Sequence, residues 1–577
     1  MAQNAAGNGN KKVFTDDVSL VISGAAGKGI LTIINVLTKT LKQSGFHVFA
    51  TNEYMSRIRG GTNSAEIRVS SKRVSAFINR IDILVPLDKG AIPHLKERIT
   101  KDTVILGDKG QAAADIPMTD IPFGNIALDL GKSVFENVVA AGTLLGLFGI
   151  KPELLDEVLK GQFGSKGEEI VKKNIEAGRA GLEKGQALAK AGTVRIELIP
   201  DKNVANELFL NGTEALGIGA ISGGCDFISS YPMSPATGVL TFIAQQSKEF
   251  DIVIDQAEDE IAAINAGLGA WYAGARAMVT TSGGGFALMT EGVSLSGMIE
   301  TPIVIHIGQR PGPATGLPTR TEQGDLSFAV YSGHGDFPRI VLAPGTIKDA
   351  TVLTHKAFNL ADRFQIPVFI LSDQFFLDSY TTCPDLEVEK LPVERFITKT
   401  AKDYKRYKLT SDGISPRGIP GYGEGLVCVD SDEHDETGHI TESEAVRNAM
   451  MDKRLVKKAA AILKEAIPPQ IIGSKDYSTI IVGWGSTHSA IAEAIENLGR
   501  KDVAFLYFTQ VFPLQAGVAD TIKKAKNMIL VENNASGQFG KILQLATGMV
   551  PHHKILKSSG APFTVEELVE DFRRLIK

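Results

Sequence analysis

Cysteine is scarce in this sequence. Its 577 residues hold three, Cys225, Cys383 and Cys428, and no two form a CxxC pair. That argues against a disulfide framework. It also argues against a zinc or iron–sulfur site built by this chain alone. If electrons are transferred, the metal centre belongs on another chain. Charge of one sign is lacking too: the formal net charge is −5, which offers nothing to a nucleic-acid backbone. No apolar run approaches the roughly 18 residues of a membrane span. The opening "MAQNAAGNGNKK" is polar, has no apolar signal core, and reads as a short disordered leader of a cytoplasmic protein. Short tandem repeats are absent as well.

What is present is α/β sequence in three blocks. Residues 14–193 begin with "VSLVISGAAGKGI", an apolar strand, a glycine turn and a helix. "HVFATNEY", "AEIRVS", "ILVPL" and "TVILG" read as further strands. Strands alternating with helices predict mostly parallel, open sheets. Residues 194–206 read as an extended linker. Residues 207–400 repeat the pattern through "DIVID", "ARAMVTT", "PIVIHIG", "RIVLAP" and "PVFILSD". Residues 401–475 form a connecting segment, long enough to be read as functional or interfacial. Residues 476–577 close with "STIIVGWGSTHSAIAEAIENLG", "VAFLYF" and "NMILVENN".

Several stretches have the residue types of a site. In "YPMSPATG", Pro232 and Pro235 hold Tyr231 and Ser234 extended, because proline restricts its own φ and the residue before it. The bare alternative is a rigid strand–helix loop. The turn Gly24, Ala25, Ala26, Gly27, Lys28, Gly29 offers backbone amides to an anion. It lacks the Walker spacing and has Gly29 where a magnesium-binding hydroxyl would stand. A tight turn explains the glycines as well as a phosphate or pantetheine contact would. In "EDEIAAINAGLGAWYAGARAMVTTSGGGF", Glu260 opens a helix of small residues. It is either a cap favoured by the helix dipole or a carboxylate held against a cofactor. In "GQRPGPATGLPTRTEQGDL", Arg310 follows an apolar strand. It is either half of a surface salt bridge or a planar clamp for a carboxylate. The acidic and histidine residues of 432–439 fit no metal-ligand spacing and read as a solvated or interfacial loop.

Taken together, "YPMSP", "EDEIAAINAGLGAWYAGARAMVTTSGGGF" and "GQRPGPATGLPTRTEQGDL" resemble the α subunit of 2-oxoacid:ferredoxin oxidoreductases. "SGAAGKG…EYMSRIRGGTNSAEIRVS" resembles that family's γ domain, fused here in front of α. "LVENNASGQFGKI" resembles its transketolase-C-like domain. The family usually reads "YPITP" and "TSGPGF", and commonly has Gln where Lys28 stands.

The resemblance implies three α/β domains: a γ-type domain at 14–193, a thiamine diphosphate pyrimidine-binding domain at 207–400 and a transketolase-C-like domain at 476–577. It implies that Tyr231 and Pro232 lie against thiamine diphosphate, and that Glu260 bonds its pyrimidine nitrogen and sets its tautomer. Ser234 and Arg310 would bind the substrate carboxylate. Gly24, Gly27, Lys28 and Gly29 would contact coenzyme A. A β subunit would carry Mg2+ and a 4Fe–4S cluster, in an (αβ)2 assembly that reduces ferredoxin.

Fusion of γ to α points to 2-oxoglutarate, converted with coenzyme A to succinyl-CoA and CO2. Pyruvate and branched-chain 2-oxoacids remain alternatives. A non-redox, transketolase-like thiamine enzyme should carry a "GDG…N" diphosphate motif, and none convincing is found. A scaffold that lost its chemistry is disfavoured by the retained Glu260, Arg310 and Ser234. No nucleic-acid or membrane partner is expected.

Overall fold

A computed structural model describes residues 12–55, 61–112 and 116–576. Residues 1–11 of the leader and residues 56–60 of "EYMSRIRGG" lie outside the described residues. The chain forms two compact units, Met1–Leu210 with Ser379–Asp385, and Asn211–Asp378 with Leu386–Lys577. Mixed α/β architecture with mostly parallel sheets runs through the chain. No helix among the described residues is long and apolar enough to cross a membrane.

In the first unit the strand Asp17–Ala25 is central. Val18, Leu20, Val21 and Ile22 are all buried, the pattern of a strand covered on both faces. It pairs in parallel with Ile83–Pro86, which pairs in parallel with Val104–Gly107. On its other side Thr62–Ser70 and His47–Glu53 run antiparallel, followed by Tyr380–Cys383. The parallel character expected of this block therefore holds for one half of its sheet. Val194–Ile196, within the stretch read as a linker, pairs in parallel with Lys12–Phe14. Glycines let the helices Glu136–Leu147 and Glu168–Ala191 touch backbone to backbone. A Cβ at Gly181 would fall 2.1 Å from the Val139 carbonyl oxygen.

The second unit holds two sheets. In the larger, the strands lie in the order Val253–Gln256, Phe227–Ser230, Ala277–Thr281, Ile303–Gln309, Pro367–Asp373, Ile340–Leu342 and Gln510–Phe512. All pair in parallel except the last. The smaller sheet, from the C-terminal block, is parallel through Val503–Phe508, Thr479–Trp484, Asn527–Glu532 and His553–Leu556.

Buried ion pairs fasten the connecting segment 401–475. Asp362 takes Arg417 at 2.5 Å and Arg276 at 3.0 Å, and all three are buried. Glu300 takes Lys453 at 2.5 Å and also Lys458. Burial alone would raise the Glu300 carboxyl, but its cations hold it well below the ordinary range. His434, read as part of a solvated or interfacial loop, is buried, with its ring 3.8 Å from that of Tyr407. No cluster that could hold a metal ion occurs among the described residues.

Candidate active site at the C-terminal edge of the larger sheet

Open parallel sheets bind ligands beyond the C-terminal ends of their strands. Four segments singled out in the sequence leave the larger sheet at that edge. Residues 231–236 follow Phe227–Ser230, and Glu260 follows Val253–Gln256. Residues 282–285 follow Ala277–Thr281, and Arg310 follows Ile303–Gln309.

The "YPMSP" loop is held from beneath. Ser230 donates its hydroxyl to the Thr280 carbonyl at 2.5 Å. Pro235 packs over Gly308, where an added Cβ would lie 3.0 Å from the proline ring. Tyr231 and Ser234 are exposed. Arg310 donates Nη1 to the Ser234 backbone carbonyl at 2.8 Å. The structure thus joins Ser234 and Arg310 through the serine backbone, not through its hydroxyl.

Glu260 is the first residue of the helix Glu260–Ala273, and Asp259 caps that helix by accepting from Ala262 N at 2.7 Å. Capping therefore falls to Asp259, and the Glu260 side chain is available for something else. It is buried at 3% exposure, and burial pushes its pKa up. Its Oε1 has no hydrogen-bond partner among the described residues. That oxygen lies 2.2 Å from where a Cβ would stand on Gly285. Each glycine of the turn faces a different neighbour: Asp325 at Gly283, the Ala314 carbonyl and Met233 at Gly284, and Glu260 at Gly285.

Three buried side-chain oxygens at this turn lack a partner among the described residues: Glu260 Oε1, Ser282 Oγ and Asp325 Oδ2. Buried polar atoms are rarely left unsatisfied, and each such atom needs a reason. A ligand with polar ring atoms at this edge is one. The residues present fit the pyrimidine of thiamine diphosphate: a buried carboxyl oxygen without a partner among the described residues lies beside a glycine turn.

Several supporting residues are not apparent from the sequence motifs. His306 bridges three strands below the loops, with Nδ1 2.7 Å from Thr280 Oγ1 and Nε2 2.7 Å from Ser372 Oγ. Burial pushes its pKa down to about 3, so it stays neutral. A histidine inside the apolar "PIVIHIG" is the signal that could reveal it. The loop after Arg310 is clamped by the C-terminal block. Gln323 N donates to the Asn533 carbonyl at 2.6 Å, and Asn533 N donates to Gln323 Oε1 at 3.0 Å. Gln323 Nε2 donates to the Trp484 carbonyl at 2.8 Å. Gln538 Nε2 donates to the Gly324 carbonyl at 2.6 Å. The "VENNASGQF" stretch is thereby the anchor of that loop.

In the first unit the glycine turn is partly occupied by an acid. Asp88 accepts from Ala25 N at 2.5 Å. Gly27 and Gly29 have φ of 90° and 70°, where glycine is at no disadvantage. Burial raises the Glu136 carboxyl, and Lys28 opposes that rise. An anion at this turn would meet Lys28 more readily than Ala25 N, which Asp88 already occupies.

Comparison with known proteins follows the same division. A family model described as pyruvate flavodoxin/ferredoxin oxidoreductase, thiamine diphosphate-binding, matches residues 218–453. A second, pyruvate ferredoxin/flavodoxin oxidoreductase, matches residues 19–184. The 2-oxoacid:ferredoxin oxidoreductase subunit alpha of a Sulfolobus species is 33% identical over 97% of each chain. The 2-oxoglutarate synthase subunit KorA of Methanothermobacter marburgensis is 29% identical over 63% of this chain and 98% of its own. A solved 2-oxoglutarate:ferredoxin oxidoreductase from Magnetococcus marinus, with 2-oxoglutarate, coenzyme A and succinyl-CoA bound, superposes with a TM-score of 0.91. It is 33% identical and aligns over 97% of this chain and 100% of its own.

Fold and site define one subunit of a multi-subunit oxidoreductase with a thiamine diphosphate-binding domain. The chain belongs to the family of 2-oxoacid:ferredoxin oxidoreductase alpha subunits.

Proposed function

We propose that this chain is the α subunit of a 2-oxoglutarate:ferredoxin oxidoreductase with a γ-type domain fused at residues 14–193. The reaction is the reversible, coenzyme A-dependent oxidative decarboxylation of 2-oxoglutarate to succinyl-CoA and CO2, with electrons passing to ferredoxin. The observation that carries the reading is Glu260, a buried acid whose Oε1 has no partner among the described residues and faces the glycine turn at Gly285. Full-length likeness to a 2-oxoglutarate enzyme supports the choice of substrate. Residues 207–400 then form the pyrimidine-binding domain and 476–577 the transketolase-C-like domain, with 194–206 and 401–475 as their connections.

Thiamine diphosphate supplies a nucleophilic carbon and an electron sink when bound. Glu260 would hold a proton at Oε1 against the pyrimidine ring. Tyr231 and Pro232 would wall the ring. Arg310, fixed by the Ser234 carbonyl, would orient the 2-oxoacid through its carboxylate, with the Ser234 hydroxyl beside it. Mg2+, the diphosphate and the 4Fe–4S cluster fall to a β subunit in an (αβ)2 assembly. Coenzyme A would meet Gly24, Gly27, Lys28 and Gly29.

The test is the enzyme assembled with its β chain, assayed for ferredoxin reduction with 2-oxoglutarate, pyruvate and branched-chain 2-oxoacids. 2-Oxoglutarate should give the highest kcat/KM, and a higher value for pyruvate would reassign the substrate. Arg310→Met should raise KM for every acid, by an amount equivalent to the roughly 2–5 kcal/mol lost when one partner of a desolvated pair is removed. Lysine should rescue poorly because it lacks the planar fork. Lys28→Glu should raise the coenzyme A requirement while leaving CO2 release unchanged, and equal losses in both would refute the coenzyme A contact.

A further inference from the structure

We propose that Asp325 is a positioning residue of the 2-oxoacid pocket: its protonation state decides how much of the Arg310 charge is free for the substrate carboxylate. This role rests on Arg310 being the carboxylate clamp.

The Asp325 backbone is tied to the residue next to Arg310. Asp325 N donates to Gln309 Oε1 at 3.0 Å, and Gln309 Nε2 donates to the Ser372 carbonyl at 3.2 Å. The carboxyl is pressed on the glycine turn, where a Cβ at Gly283 would lie 2.3 Å from Oδ1 and 2.5 Å from Oδ2. A side chain at Gly283 would displace it. Oδ2 is buried, and no donor among the described residues reaches it.

Two charged groups act on Asp325. Arg310 acts on it from the end of its strand, and Glu322 from its own loop. Glu260 stands two glycines further along the same turn. Gln538, which holds Ser327 N and the Gly324 carbonyl from the C-terminal block, is neutral. Burial, with Glu322 adding to it and Arg310 opposing, pushes the Asp325 carboxyl up to about 7. A carboxyl raised that far titrates near neutrality.

The sign of the coupling follows from charge alone. Ionised Asp325 neutralises part of the Arg310 guanidinium and repels an incoming carboxylate. Neutral Asp325 leaves the guanidinium to the ligand. A bound 2-oxoacid anion must then raise the affinity of Asp325 for a solvent proton. Above neutrality, binding takes up a proton, and apparent affinity falls as pH rises. The limit for one linked proton is about tenfold per pH unit.

The experiment uses the assembled enzyme with its best 2-oxoacid between about pH 5.5 and about pH 8.5, each limit roughly 1.5 units from the expected break. Wild type should lose kcat/KM toward the alkaline side, with the loss in KM rather than kcat. Asp325→Asn should remove that break. Glu322→Gln, which deletes the like charge, should move it to lower pH. Infrared difference spectra between the two pH limits should show a protonated carboxyl band in wild type that Asp325→Asn lacks. If the break and the band survive in Asp325→Asn, or if Asp325→Asn fails to fold and Glu322→Gln leaves the break in place, Asp325 does not set it. An unchanged KM in Arg310→Met would instead overturn the carboxylate clamp itself, a separable outcome.

Discussion

Glu260 shows how a residue proposed for the site can be costly to the fold. It is buried, one oxygen has no partner among the described residues, and its carboxyl is raised. An unpaired buried polar group destabilises by roughly 1–3 kcal/mol. For a carboxyl whose folded pKa lies above its unfolded one, the penalty is present at neutral pH and vanishes as pH falls below the unfolded value. Glu260→Gln in the chain alone should therefore melt no lower than wild type at neutral pH. The difference should close near about pH 4. In the assembled enzyme, the same change should slow turnover by about 10²–10⁴-fold, the usual contribution of a positioned acid or base. Deuterium exchange at thiazolium C2 should slow with it. Thermal melts and exchange rates check both halves, and turnover near wild type would remove Glu260 from the chemistry.

At the scale of elements, the loop after Arg310 owes its shape to the C-terminal block. Gln323 is fully buried and bonded on both sides by Asn533 and Trp484. Gln323→Ala would leave the Asn533 amide and the Trp484 carbonyl without these partners, at roughly 1–3 kcal/mol for each buried group. The urea midpoint should fall accordingly, and KM for the 2-oxoacid should rise because that loop joins Arg310 to Asp325. A lower midpoint with unchanged KM would make the clamp structural only. This coupling is not legible in the sequence, since its partners are 210 residues apart. The strands are legible because each is an apolar run, and the acid at Glu260 because it opens a small-residue helix. The Arg310 contact uses the Ser234 carbonyl, which no side-chain pattern announces. Asp325 acquires its meaning from its distance to Gly283, so its place in "TEQGDL" alone could not reveal it. His434 is obscured by its acidic neighbours, whereas burial against Tyr407 decides its environment.

At the scale of the whole molecule, the distribution of thiols bears on how labour is divided between chains. Burial pushes the Cys225 thiol up to about 12 and the Cys383 thiol up to about 11. Both are therefore protonated thiols at neutral pH. Cys428 is partly exposed, and its Sγ donates to the Gly438 carbonyl at 3.2 Å. A four-thiolate cluster needs more than these three residues can supply. Expressed without a β chain, this protein should be colourless and should reduce neither dye nor ferredoxin when given a 2-oxoacid. Expressed with that chain, it should form a brown assembly of (αβ)2 mass that does both. Iron assay, visible spectroscopy and mass measurement on the two preparations decide the matter. A lone chain that binds thiamine diphosphate tightly and reduces ferredoxin would mean that the diphosphate and electron-transfer sites do not require a second subunit.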